Sequence, residues 1–141
     1  MKTKPDYWYK QSAVIPYRIN DTKIEILIIK SRNNKRWIIP KGIIEEKLTA
    51  KTSAEKEAFE EAGVKGKIIG NKIGSYSYQK WGGSCSVKVF LFLVDEILED
   101  WEENFRERKW ILLSEIKNYI EDKNLLTIFN SIDNKLIQQA S

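Results

Sequence analysis

The chain contains no histidine and a single cysteine, Cys85. Without histidine it lacks the commonest zinc ligand, the usual base near neutral pH, and every Ser/His or Cys/His catalytic pair. One cysteine allows no internal disulfide and suits a reducing compartment; Cys85 reads as a strand residue. The 3 prolines and 7 glycines are dispersed, so no Pro/Gly-rich linker divides the chain, and no repeat or low-complexity tract is present. Long apolar runs are also missing. Ile24 to Ile29 (broken by Glu25) and Val89 to Val94 fall far short of the roughly 20 residues that cross a bilayer. Met1 to Gln11 carries lysines with no apolar stretch behind them, so no secretory signal is expected and the cytoplasm is the expected location. Any catalysis must come from carboxylates, lysines, arginines, tyrosines and a metal ion.

The 141 residues, 42% hydrophobic and 31% charged, have the balance of a globular protein. Residues 1–141 are expected to form one domain. A net charge of +4 and a pI near 9.0 suit an anionic partner. Basic residues are interleaved with acidic ones rather than gathered in a block, so a nucleic-acid partner is not expected. A membrane partner is not expected either, and oligomeric state is not legible.

Ser12 to Ile19 and Lys23 to Lys30 read as strands joined at Asn20-Asp21, a turn signal. Trp37 to Ile39 is a short strand stopped by Pro40, and Gly42 to Lys51 reads as a loop. Thr52 to Ala62 reads as a helix, with Thr52 and Glu55 at capping-box spacing and Gly63 at the C-cap. Lys67 to Tyr78 and Ser86 to Asp95 are β-rich around a Lys80–Gly83 turn, and Arg108 to Leu113 is a further strand. Ser114 to Ile120 and Lys123 to Gln139 have helical periodicity, with Leu125, Ile128, Phe129, Ile132 and Leu136 on one face. The expected class is α+β, an α/β/α sandwich with a mixed sheet, a central helix and C-terminal helices.

Glu57, Glu60 and Glu61 stand at i, i+3 and i+4, on one stripe of that helix, while Ala58, Phe59 and Ala62 turn toward a core. Clustered carboxylates repel one another, and a hard divalent cation with oxygen ligands would offset this. A solvated acidic face paired with Lys56 is the other reading. Among the aromatics, Trp37 and Trp110 are assigned to core and Trp81, beside Gly82-Gly83, to an exposed turn. Trp81, Trp101, Trp110, Tyr76 and Tyr78 could also stack on a base.

The stretch from Pro40-Lys41-Gly42 to Val64 resembles the Nudix box. Gly42, Glu57, Ala58, Glu60, Glu61, Gly63 and Val64 occupy seven motif positions at the correct spacing. Two positions depart: the motif's first glutamate is Leu48 and its arginine is Lys56. Glu45 or Glu46 could supply the displaced carboxylate. Lys30-Ser31-Arg32, Arg36 to Pro40, and Glu96 to Glu103 with Arg106, Arg108 and Trp110 are similar to the diadenosine polyphosphate and diphosphoinositol polyphosphate hydrolase branch.

The resemblance implies a Nudix-type fold and a pyrophosphohydrolase. Its metal ligands would be Gly42, Glu57, Glu60 and Glu61, holding Mg²⁺, with Mn²⁺ as a substitute. Glu57, Glu60 and Glu61 would be the catalytic residues; the general base could be Glu57, Glu96 or Glu103. Ser31, Arg32, Lys41, Arg106 and Arg108 would contact a small-molecule polyphosphate, with Arg18 a further candidate. Diadenosine polyphosphate is the first expected substrate. Diphosphoinositol polyphosphate is the alternative within the class. A non-catalytic module that binds nucleotide or polyphosphate in the same cleft is the alternative outside it.

Overall fold

In the computed structural model, which describes residues 1–132, Asp21 and Thr22 both take positive φ (51° and 69°). They close a two-residue turn between β1 (Lys10–Asn20) and β2 (Lys23–Lys30). Primed turns of this kind match the twist of antiparallel strands. Trp81 and Gly82 (53° and 69°) repeat the device between β5 (Val64–Lys80) and β6 (Gly83–Ile97).

The first hairpin does not stay closed. β1 and β2 pair from Tyr17↔Ile26 to Asn20↔Lys23; beyond that they part at Pro16, which has no amide hydrogen for a ladder. The segment 37–43 fills the gap. β3 (Trp37–Ile38) pairs with β2 at Ile29 and Lys30, and β4 (Lys41–Ile43) pairs with β1 from Gln11 to Ala13. The Pro40 carbonyl accepts the Val14 amide at 3.1 Å between them. Pro40 is therefore a step from one strand to the next, and the loop expected from Gly42 begins instead as β4.

β6 runs parallel to β1 from Lys10↔Ser86 to Tyr17↔Leu93, and β7 (Arg108–Leu112) pairs antiparallel with β2. The sheet is mixed, ordered β3-β2-β1-β6-β5 with β4 on β1 and β7 on β2. Alternation along β1 sends Ala13, Ile15 and Tyr17 to one face, where Ile116, Ile120, Leu125, Ile128 and Phe129 cover them. Val14 faces the other way with Leu27, Ile29, Phe90 and Phe92, under α1 (Ala50–Glu57). Each fully buried side chain of this size contributes roughly 1.5–3 kcal/mol.

The helix α1 begins earlier than its expected cap. The Thr49 hydroxyl accepts the Thr52 amide at 3.1 Å, and the Thr52 hydroxyl accepts the Thr49 amide at 2.9 Å. Threonine thus serves at both ends of the capping box, in place of the expected Thr52–Glu55 pair. The helix continues as a wider π turn, Ala58–Ala62, and ends at Gly63 in the left-handed region (φ 65°), as expected. Ala54, Ala58 and Ala62 are fully buried and let the helix lie close on the sheet. Phe59, expected to face a core, falls outside this alanine stripe and is 44% exposed.

Leu113–Asn118 is a 3₁₀ helix rather than an α-helix. It leads to α2 (Lys123–Asn130), whose N-terminal amides at Asn124 and Leu125 are capped by Asp122. This helix ends at Asn130, with Ser131 as its C-cap, short of the helix expected to run to Gln139; residues 133–141, with Leu136, lie outside the described residues. No helix among the described residues is long and apolar enough to cross a membrane.

Candidate active site

The close approach of α1 to the sheet brings its glutamates against β4. A Cβ placed on Gly42 would come within 3.0 Å of Glu57 side-chain atoms, so the glycine makes room for this carboxylate. Glu61 is 8% exposed and accepts the Lys41 amide at 3.3 Å through Oε1. The Glu57 and Glu61 carboxyl groups are close enough to shift each other's protonation. Burial, then the neighbouring Glu57 charge, pushes Glu61 up to about 9. Burial raises Glu57 and Glu60 as well. Without a cation, the pair is therefore a proton-sharing one. Glu60 Oε2 is buried with no hydrogen-bond partner.

Among the described residues, no three acidic or cysteine side chains converge tightly enough to enclose an ion. The donor chemistry nevertheless fits a hard cation: the buried Glu61 and the partly buried Glu57 repel each other, and Glu60 has an orphaned oxygen.

The loop between β6 and β7 holds the carboxyl end of this helix. The Glu60 carbonyl accepts the Glu103 amide at 3.0 Å, and the Glu61 carbonyl accepts Trp101 Nε1 at 3.0 Å. Arg108 Nη1 donates to the Ala62 carbonyl at 2.8 Å, and the Leu98 amide donates to Gly63 at 2.8 Å. These are the carbonyls that a helix end leaves without partners. The guanidinium of Arg108 lies 3.8 Å from the centre of the Trp101 ring and gives a second donor to the Leu98 carbonyl. Arg106 is 6% exposed. It donates to Glu103 Oε1 at 2.9 Å and to the Lys30 carbonyl at 2.9 Å.

The structure therefore places the donors of both expected phosphate ligands, Arg106 and Arg108, on protein partners. The exposed Arg32 reaches the same Glu103 oxygen at 3.2 Å. Ser31 closes the loop that carries Arg32: its hydroxyl donates to Asn33 at 2.7 Å and accepts the Arg36 amide at 3.1 Å. Arg18 is tied to Glu25 at 2.7 Å and lies over Trp110, back along the hairpin. Glu103 acts on Glu57 and Glu61 through its charge, whereas Glu96 is exposed opposite Lys65 on β6.

The departure at Lys56 is met by Glu45, one of the two glutamates near Leu48. Lys56 Nζ donates to both Glu45 oxygens, at 2.9 and 2.8 Å. The Glu45 amide in turn donates to the buried Ser53 hydroxyl at 3.0 Å. The loop before the helix is thus latched to it.

Beside the carboxylates, on the other face of the sheet, lies a cleft of about 350 Å³ walled by Arg36, Trp37, Lys41, Tyr76, Tyr78 and Asp122. Burial lowers Lys41 and raises both tyrosines, so the phenols stay neutral. Sequence reasoning noted the tyrosines as stacking candidates but did not identify Arg36 and Asp122 as site residues. Both flank turns and carry no spacing signal. Trp81 sits on its turn, as expected, but is half-buried rather than exposed, packed edge-on by Trp8 and Tyr9. Trp37 and Trp110 are partly buried against the two cores.

A two-sided sandwich with a glutamate helix at the edge of a mixed-charge, aromatic cleft defines a Nudix-type protein. The NUDIX domain profile matches residues 9–129, and the chain belongs to that family. Diphosphoinositol polyphosphate phosphohydrolase 3-beta of Bos taurus is 36% identical over 109 residues, 75% of this chain and 65% of that protein. Nudix hydrolase 12, mitochondrial, of Arabidopsis thaliana is 33% identical over 126 residues, 74% of this chain and 62% of that one. The matched region thus spans 65% and 62% of these relatives, slightly less than two thirds of their length. The fold is that of the C. elegans Ap4A hydrolase, with a TM-score of 0.72 at 22% identity over 86% of this chain and 92% of that one.

Proposed function

We propose that the chain is a divalent-metal-dependent pyrophosphohydrolase that cleaves a phosphoanhydride bond in a nucleoside-diphosphate-linked substrate, with diadenosine polyphosphate first. The observation that carries this reading is the pair of partly buried Glu57 and buried Glu61, with its orphaned Glu60 neighbour, next to a cleft of mixed charge and aromatic walls. Three basic side chains line the cleft, Arg36, Lys41 and Lys80, against the acidic Glu121 and Asp122. A base flanked by tyrosines suits such a wall better than a ring bearing many phosphates. The diphosphoinositol polyphosphate reading is kept because relatives of that name are the more similar in sequence.

Glu57, Glu60, Glu61 and the Gly42 carbonyl would hold Mg²⁺, or Mn²⁺. When bound, the ion would neutralise phosphate charge and lower the pKa of a water. Lys41 binds the polyphosphate from the cleft side and stabilises charge as the bond breaks. Arg32 approaches from the exposed side. Glu103, held by Arg32 and Arg106 beside the pair, accepts the proton of the attacking water, with Glu57 the second candidate. Arg106 and Arg108 act by fixing this loop and the helix end. The cytoplasm remains the proposed location.

The test is product release from diadenosine polyphosphates, diphosphoinositol phosphates, nucleoside triphosphates and ADP-ribose, with Mg²⁺ or with EDTA. Metal-dependent turnover lost in Glu60→Gln and Glu61→Gln is expected. Ligand binding without turnover of any substrate would replace the enzyme with a binding module.

A further inference from the structure

Lys41 touches both halves of the site. Its amide bonds Glu61, and its side chain leaves β4 on the face that Ala13 shares, into the cleft. There the ammonium donates to the Tyr78 hydroxyl at 3.0 Å and lies 4.7 Å from the centre of the Tyr78 ring. The Tyr78 hydroxyl donates to Gln11 Oε1 at 2.9 Å, and Gln11 Nε2 donates to the Trp8 carbonyl at 3.3 Å.

The direction of this chain is fixed by chemistry. An ammonium can only donate, so the hydroxyl must accept from it and pass its own proton to an acceptor. Gln11 is 3% exposed, in a strand whose neighbouring inward positions are apolar. A buried amide is costly unless both its ends are bonded, and here each end has a partner. Among the described residues, the hydrogen bond of Lys41 Nζ is to Tyr78, which leaves two of its three donors for a ligand.

We propose that Tyr78 and Gln11 are positioning residues for Lys41, aiming its ammonium at a phosphate group of the bound substrate. A free lysine side chain loses much rotamer freedom when it is fixed. Tyr78 and Gln11 impose that loss during folding, so binding is spared it. The identity of the phosphate ligand rests on the hydrolase reading; the placement of the ammonium does not.

The experiment is a double-mutant cycle. Tyr78→Phe keeps the ring under the ammonium and removes only the hydroxyl, so the fold is retained. Gln11→Leu, which strands the tyrosine hydroxyl, is the second variant. Each is made alone and with Lys41→Met. Binding of inorganic tripolyphosphate in Mg²⁺ is measured by calorimetry, and Ap4A hydrolysis is measured in parallel. With Lys41 present, Tyr78→Phe is expected to raise Kd and KM together by about tenfold, with any fall in kcat smaller than that rise. With Lys41→Met the same substitution is expected to change Kd by less than about twofold. Equal weakening in both backgrounds overturns the proposal, as does unchanged binding in the presence of Lys41, or a fall in kcat alone. If the binding cycle holds and no substrate turns over, the placement stands and the hydrolase reading fails.

Discussion

In EDTA, raising the pH from 5 to 8 should destabilise this protein through one pair of side chains. Burial and mutual repulsion push Glu61 up to about 9, from an ordinary value of 4.5. Between these values the folded chain keeps a proton that the unfolded chain gives up. Stability is therefore fully present below about pH 4.5 and falls as pH rises toward 9. Each pH unit costs at most about 1.36 kcal/mol, so three units give a ceiling of about 4 kcal/mol. The pair sits at a helix end and Glu57 is only partly buried, so it relaxes toward water; about half the ceiling, some 2 kcal/mol, is expected. For a chain of this size that is a fall in Tm of about 7 °C. The chain has no histidine, the side chain whose ordinary value falls in this window. Calorimetry on the wild type and on Glu61→Gln at pH 5, 6.5 and 8 isolates the pair, because the amide carries no proton to lose. Saturating Mg²⁺ should flatten the wild-type slope, since a ligand at about 100 times its Kd contributes about 2.7 kcal/mol. Parallel slopes for the two proteins in EDTA would refute the reasoning.

Gly42→Ala forces the Glu57 carboxylate from its place; half-saturation by Mg²⁺ in the hydrolysis assay should rise about tenfold, with little change in Tm. Arg108→Ala removes donors from the Ala62 and Leu98 carbonyls, and denaturant melts should show a loss of about 2 kcal/mol. Thr49→Ala removes the cap of α1 and should cost about 1 kcal/mol in the same melts; Glu55→Ala, at the position expected to complete the cap, should cost less than half of that.

The glutamate helix was legible because its signals are local: a seven-position spacing pattern and a terminal glycine at Gly63. Strand alternation likewise gave β1, β2 and β6. The start of the helix was misplaced because threonines at both 49 and 52 offer the same hydroxyl, and only the fold decides which caps. Phe59 was misassigned because an apolar residue beside a carboxylate stripe looks inward until the alanine stripe at 54, 58 and 62 claims the sheet. Arg106 and Arg108 carry the charge of phosphate ligands; their distant acceptors, the Lys30 and Ala62 carbonyls, leave no trace in spacing. The Lys41–Tyr78–Gln11 chain spans residues 11 to 78 and was invisible for the same reason.

The clamp on the helix end also has a consequence in time. Trp101 and Arg108 bond carbonyls of residues 40 and 46 positions earlier in the chain. During synthesis, the glutamates emerge well before the loop that fixes them. Until β7 has joined β2, the acidic turn has no partners for its last carbonyls and no stable aim. A stalled or truncated chain thus displays the whole motif while lacking a functional site. The motif marks ancestry, but the geometry of the site belongs only to the finished sheet.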